Sequence, residues 1–344
     1  MNSELSPLDH LLKSLAEGSS YEIEKAIRRG ANWLEPITEE NCKDFLGFFH
    51  NYRQQQKQKF ERALEPGITP FHLLLVNPTD YRSSHGDETT WYKSLVSSVV
   101  SGIVGKQLSA LPSGNSPLHS AIAAGKFLNN SLLKKIVRRM KVSDLDTYYD
   151  GVTPYLRCWT SDRMMIGCDL ATMDQVNQNA KTIGRQDSAL HLIVLQTLTK
   201  DWHGKEKKRI IKKMIGLGVD PNGVNVDGNT FLHCDAKNSH VDLEQLGVDL
   251  YVVNNIGHTW AEEHNLTSLI STFESSPQLD WGRMINRPSQ FLETINNPNL
   301  SLYGDQKKGL NQMRLFVKSI VERQELEQSS PSVSTPSSLP RRRM

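Results

Sequence analysis

Cysteine is scarce. The chain has 344 residues and four cysteines, Cys42, Cys158, Cys168 and Cys234, with no CxxC pair. So few thiols exclude a disulfide-built scaffold and suit isolated, reduced, structural cysteines. An excess of one charge is also missing. Forty Lys and Arg against 38 Asp and Glu leave a net charge of +2. Such a chain has no global field to attract DNA or RNA, so no specific nucleic-acid partner is expected. Long apolar runs are absent too. The longest candidate, residues 94–104, is too short to span a bilayer and contains Ser and Gly. The opening MNSELSPLDHLLKSL has no basic stretch leading into an apolar one, so no conventional signal peptide is expected. These absences point to a soluble, intracellular protein, with export through another signal left open. What is present is a folding composition, 38% hydrophobic and 23% charged.

One short phrase recurs along the chain. It reads Gly67-Ile-Thr-Pro-Phe-His, then Gly114-Asn-Ser-Pro-Leu-His, then Gly151-Val-Thr-Pro-Tyr-Leu. It returns as Gln186-Asp-Ser-Ala-Leu-His, Gly228-Asn-Thr-Phe-Leu-His and, more weakly, Gly257-His-Thr-Trp-Ala-Glu. The Ser or Thr markers at 69, 116, 153, 188, 230 and 259 are 47, 37, 35, 42 and 29 residues apart. Self-similarity at this spacing is the mark of a repeat architecture with inserts in its loops. Each position has a mechanical role. Gly takes the turn conformation that other residues avoid. Ser or Thr caps the next helix. Pro fits the first helical position, where its missing N–H costs nothing. Phe71, Leu118, Leu190 and Leu232 then point inward. Apolar Ile211, Met214 and Ile215 line one face of a second helix, which Gly218 stops.

These residues resemble the ankyrin repeat family, whose signature is Thr-Pro-Leu-His near the first helix. The resemblance implies an all-α ankyrin-repeat solenoid with irregular inserts and a helical C-terminal cap. It implies that His72, His119, His191 and His233 bond back toward their turns. Leu156 and Glu262 depart from the signature at that position. The expected organisation is an N-terminal capping half-repeat over residues 1–35, a helical insert over 36–66, and divergent repeats over 67–275. A helical cap over 276–328 and a disordered tail over 329–344 follow. Within the insert, residues 41–63 read as one helix carrying Phe45, Phe48, Phe49 and Tyr52. Residues 91–108 read as another helix, 310–326 as an amphipathic one. Residues 77–90 and 200–205 read as a loop and a polar corner.

The tail, rich in Ser and Pro and ending Arg341-Arg-Arg-Met344, follows the acidic stretch Glu322-Arg-Gln-Glu-Leu-Glu327. That combination resembles the translocation signals of bacterial effectors exported by type IV secretion. It implies a virulence role in a host cell.

Chemistry is harder to find. No Walker A phrase, dinucleotide-binding glycine pattern or HExxH is present, and Gly102-Ile-Val-Gly-Lys106 lacks phosphate-loop spacing. The four signature histidines sit a repeat apart, too far to share an ion. No cofactor, metal or catalytic residue is therefore assigned. The enzyme alternative is a site in the N-terminal insert or C-terminal helical region, with Cys42 as a nucleophile partnered by His50 or His72. The basic runs Lys205-Glu-Lys-Lys-Arg209, Lys212-Lys213 and Arg138-Arg139 read as solvated outer helices. They would serve RNA or phospholipid only if they converged on one face.

The resemblance implies a protein partner held by projecting turns, near residues 64–68, 111–115, 148–152, 181–186, 224–228 and 252–257. The residues expected to bind are Tyr148, Tyr149, Arg185, Asn225, Asp227 and Asn255. They combine aromatic area with directional polar groups, as protein interfaces do.

Overall fold

In a computed structural model the described residues are 5–49, 54–76, 88–103, 105, 107–123, 128–161, 163–196, 204–235, 241–298, 300 and 304–329. Among them the chain is all-α: helices, short 3-10 turns and three isolated β-bridges, with no strand. It divides into two compact units, Met1–Asp220 and Pro221–Met344.

The N-terminal unit opens with α1 (Pro7–Glu17) and α2 (Ser20–Arg28). Ser6 accepts the Asp9 N–H at 3.1 Å, Pro7 takes the first turn, and Gly18 closes α1 in the left-handed region at φ 66°. Residues 7–28 thus form both helices of a pair, where the sequence suggested a half-repeat. Ser6-Pro7 carries the same start signal as Thr69-Pro70, displaced from the clearer copies.

Next come α3 (Glu39–Gly47) and α4 (Gln54–Ala63). The single helix expected over 41–63 is therefore two. Their aromatic residues explain the break. Phe60 lies 5.2 Å from Phe45 and 5.3 Å from Phe49, centroid to centroid. A straight helix would hold positions 45 and 60 about 22 Å apart. Folding back buries Phe45 and Phe60, both under 3% exposed. Phe45→Ala should destabilise this hairpin by about 3–5 kcal/mol, read as a lower urea midpoint. An unchanged midpoint would contradict the clustering.

Four capped pairs follow: α5 (Pro70–Val76) with α6 (Glu88–Gly102), α7 (Pro117–Ala123) with α8 (Asn130–Arg139), α9 (Pro154–Thr160) with α10 (Met164–Leu170), and α11 (Ala189–Leu195) with α12 (Gly204–Gly216). The first helices form one row, α5 on α7 on α9 on α11, and α6, α8 and α10 form a second. Phe71, Leu118, Tyr155 and Leu190 occupy equivalent buried positions. No pair buries its own apolar side, so each depends on its neighbours. The helix expected over 91–108 ends at Gly102. Leu108 instead bridges Met140, with the Leu108 N–H on the Arg139 carbonyl at 3.0 Å and the Lys141 N–H on the Leu108 carbonyl at 2.9 Å. In α10, a Cβ on Gly167 would come within 2.6 Å of the Trp159 ring, so glycine there lets α10 lie directly on α9.

The C-terminal unit contains α13 (Phe231–Cys234), a 3-10 turn (Val241–Leu246), α14 (Trp260–Glu263) and α15 (Leu266–Ser275). Then come α16 (Trp281–Met284), α17 (Pro288–Ile295) and α18 (Asp305–Ser329), the last packing on α15 and α17. Helix α18 begins before and ends beyond the expected 310–326. Gly309 lets α18 approach α15, because a Cβ there would lie 2.5 Å from Ile270. Leu310, Met313 and Val317 are buried, whereas Leu326 is exposed.

No helix among the described residues is long and apolar enough to cross a membrane. The Ser/Pro tail after Ser329, Arg341 to Arg343, His50, Tyr52, and most of the expected loop at 77–90 and corner at 200–205 lie outside the described residues.

Candidate protein-binding turns

Each turn is built by the phrase that first marked it. The Ser116 N–H donates to His119 Nδ1 at 3.3 Å, and the hydroxyl lies 3.0 Å from the same nitrogen. The His119 Nε2–H donates to the Val152 carbonyl of the next turn at 3.1 Å. This pattern fixes the neutral tautomer. Thr230, His233 and the His258 carbonyl repeat it at 3.2 Å for each bond. The Ser188 N–H likewise donates to His191 Nδ1 at 3.2 Å, and Thr69 Oγ1 lies 2.9 Å from His72 Nδ1. Burial holds the His72 and His119 pKa values down to about 4, so both rings are neutral. At 119 and 233 the histidine is thus a rivet between consecutive turns; at 72 and 191 the Nδ1 bonds close the ring's own turn.

Glu262 replaces that rivet with a carboxylate. Its Oε2 accepts the Thr259 N–H at 2.9 Å, and its Oε1 accepts the Arg287 N–H at 2.8 Å. Histidine donates to the next turn's carbonyl; glutamate accepts from the next turn's amide. The departure at 262 therefore preserves the cap and reverses the polarity of the link. Leu156 makes no such link through its side chain, but Thr153 Oγ1 still accepts its N–H at 3.3 Å.

Further bonds join the turn tips. In the N-terminal unit, the Ser113 N–H and hydroxyl donate to Glu65 at 3.2 and 2.7 Å. The Ile183 N–H donates to the Gly151 carbonyl at 2.9 Å. The Tyr148 hydroxyl donates to the Lys181 carbonyl at 2.7 Å. Asp150 and Gly151, both at positive φ, make a two-residue hairpin turn between bridged Tyr149 and Val152. In the C-terminal unit, the Asn255 N–H donates to the Asp227 carbonyl at 3.0 Å and its Nδ2–H to the Val226 carbonyl at 2.9 Å. The Arg287 guanidinium reaches the Ile256 carbonyl at 2.8 Å.

The expected binding residues separate into two groups by position. Tyr148, Tyr149 and Arg185 lie on neighbouring turns of the N-terminal unit. Tyr148 and Arg185 are exposed; half-buried Tyr149 meets the His119 ring edge-on at 5.8 Å, and Arg185 pairs with buried Asp187 at 3.4 Å. Asp227 and Asn255 are exposed on neighbouring turns of the C-terminal unit. Asn225 is different. It is only 4% exposed, and its Oδ1 accepts the Asp227 and Asn229 N–H groups at 3.0 and 3.1 Å. It shapes its turn from inside. Sequence reasoning missed the exposed apolar tips Ile183, Val226 and Ile256. Ile183 and Ile256 directly precede a turn glycine and face out, whereas Ile68 and Val152 directly follow one and are buried, so the side of the glycine was the available signal.

Cys42 lines a cleft of about 420 Å³ with Ile37, Glu39, Lys43, Leu64 and Gly67, and no histidine is among its described lining residues. Burial, assisted by the Glu39 charge, pushes the thiol pKa up, away from the nucleophilic thiolate. Among the described residues no cluster of three or more His, Cys, Asp or Glu is placed to hold a metal ion.

No protein-family model matches the chain, and no curated protein matches its sequence. Among solved structures it is similar to the ankyrin repeat domain of Bcl-3, at 15% identity and TM-score 0.47, over 77% of this chain and 97% of that one. It is similar to the human ASB11 ankyrin repeat domain, at 16% identity and TM-score 0.43, over 76% and 92%. An ankyrin repeat protein from Leishmania major gives 12% identity and TM-score 0.42, over 92% and 98%. The capped helix pairs, the histidine rivets and the linked turns within each unit make this an all-α ankyrin-repeat fold.

Proposed function

We propose that the chain is a protein-binding scaffold that grips its partner with the tips of its turns. One observation carries this reading: exposed Tyr148 and Ile183 in the N-terminal unit, and exposed Val226 and Ile256 in the C-terminal unit, stand on turns bonded to a neighbouring turn of the same unit. Apolar side chains held on a rigid polar rim suit a protein surface, because little ordering entropy remains to be lost on binding. Tyr149 and Arg185 supply polar groups beside the tips of the N-terminal unit, and Asp227 and Asn255 beside those of the C-terminal unit.

A finer reading makes the chain an effector delivered into a host cell. It rests on the acidic end of α18, where Glu322, Glu325 and Glu327 precede the Ser/Pro tail. Affinity capture from candidate host lysate tests the scaffold reading. The Tyr149→Ala/Asp227→Ala variant should lose partners while its circular-dichroism melt stays unchanged. Equal capture by both proteins would contradict the placement. A translocation reporter fused to the chain, with and without residues 322–344, tests delivery separately.

A further inference from the structure

Two hexapeptides have one charge pattern: Lys134-Lys-Ile-Val-Arg-Arg139 on α8 and Lys208-Arg-Ile-Ile-Lys-Lys213 on α12. Both place a dibasic pair on each side of two β-branched residues. In both helices the apolar pair is buried: Ile136 with Val137, and Ile210 with Ile211. Helical periodicity then turns positions i, i+1, i+4 and i+5 outward. Lys134, Lys135 and Arg138 are exposed on α8, as are Arg209, Lys212 and Lys213 on α12.

The fold brings the two stripes to one side of the N-terminal unit. Helix α8 packs on α10, and Lys134 pairs with Asp169 of α10 at 3.5 Å. Cys168 of α10 lies 4.0 Å from Met214 of α12. Burial pushes the Cys168 thiol pKa up, and the adjacent Lys213 and Arg209 charges oppose that shift, which places both beside α10. With neighbouring helices 8–10 Å apart, the stripes run on the order of 20 Å from each other. Among the residues whose side chains are described, α8 and α12 carry nine cations, four on α8 and five on α12, against Glu206 of α12 and Asp169 of α10. The whole chain is only +2, so the remainder is net acidic. This is a segregated charge, not a basic protein's general surface.

We propose that the α8–α10–α12 face docks on an anionic phospholipid membrane. A broad face of side-by-side helices matches a plane of phosphates. Each Lys or Arg near such a surface adds attraction that salt screens. The three helices contain no aromatic residue on which a nucleic-acid base would stack. Between the stripes α10 exposes Met165, an apolar side chain suited to the headgroup boundary.

Vesicle flotation of the full chain tests the proposal. The protein should float with phosphatidylcholine vesicles containing 30% phosphatidylserine, stay behind with phosphatidylcholine alone, and detach as salt rises. The variant Arg138→Gln/Arg139→Gln/Lys212→Gln/Lys213→Gln should lose at least tenfold in binding, with its melt unchanged. Lys308→Gln/Lys318→Gln, which removes charge from α18, should bind like wild type. Equal binding to both vesicle types overturns the proposal, as does full binding by the quadruple variant. Tighter binding to a homopolymer RNA than to the anionic vesicles at the same salt overturns it in favour of a nucleic-acid face.

Discussion

Lowering the pH from 7 to 5 should destabilise the N-terminal unit by about 4 kcal/mol, about 2 kcal/mol from each of His72 and His119. The sign follows from which state takes up the proton. An unfolded histidine titrates near 6.5, whereas these two rings are held to about 4 by burial. Above pH 6.5 neither state is protonated, and the full stability is present. As pH falls toward 4, the unfolded chain binds protons that the folded chain refuses, and the equilibrium shifts to the unfolded side. The shift is large because burial denies the charged ring its water; protonating His119 on Nδ1 would also break the bond from the Ser116 N–H. Urea midpoints measured each half unit from pH 7.5 to 5 check this. The slope should shrink in His72→Gln/His119→Gln, which is itself less stable at pH 7. A flat midpoint in the wild type would mean that the rings are not sealed.

Gly114→Ala should cost about 3 kcal/mol or more, well above the cost of Gly30→Ala, about 1–2 kcal/mol. Both glycines occupy the left-handed region, at φ 88° and 93°. Gly30 has open space around it, so only the backbone strain applies there. A Cβ on Gly114 would collide with the backbone carbonyl of Tyr148, in the next turn. Backbone cannot rotate aside like a flexible side chain, so the two turns must separate. Apolar burial beneath them, including Leu111, would loosen with them. Chemical denaturation of the two variants gives the comparison directly. Equal losses would show that the turns at 111–115 and 148–152 are not in close contact.

Much of the fold was legible because a local signal repeats. Ser or Thr followed by Pro and, two residues after the Pro, His encodes cap, first turn and rivet in four residues, so each copy confirms the others. Glu262 read as a departure because the sequence shows residue identity and not bond polarity. The break between α3 and α4 was hidden for another reason. Residues 41–63 contain no proline, and the aromatic cluster that bends them joins positions 15 residues apart. The candidate site was less legible than the fold. Asn225 and Asn255 look alike in sequence, yet one is consumed inside its turn and the other stands outside. Likewise, two basic runs 74 residues apart meet on one face only through the stacking of α8, α10 and α12.

Within each unit, turns that hold one another in place underlie both the fold and the proposed binding tips. Residue-resolved amide hydrogen exchange reads that most directly, at Ile183 and Asn255. Both residues are surface-exposed, yet their amides donate to the carbonyls of Gly151 and Asp227 in the preceding turns. The expected result is exchange at least a hundredfold slower than in an unstructured peptide, a protection of about 2.7 kcal/mol or more. Exchange at the unstructured rate for both amides would mean that the turns of each unit move independently, and neither unit would present a fixed binding edge.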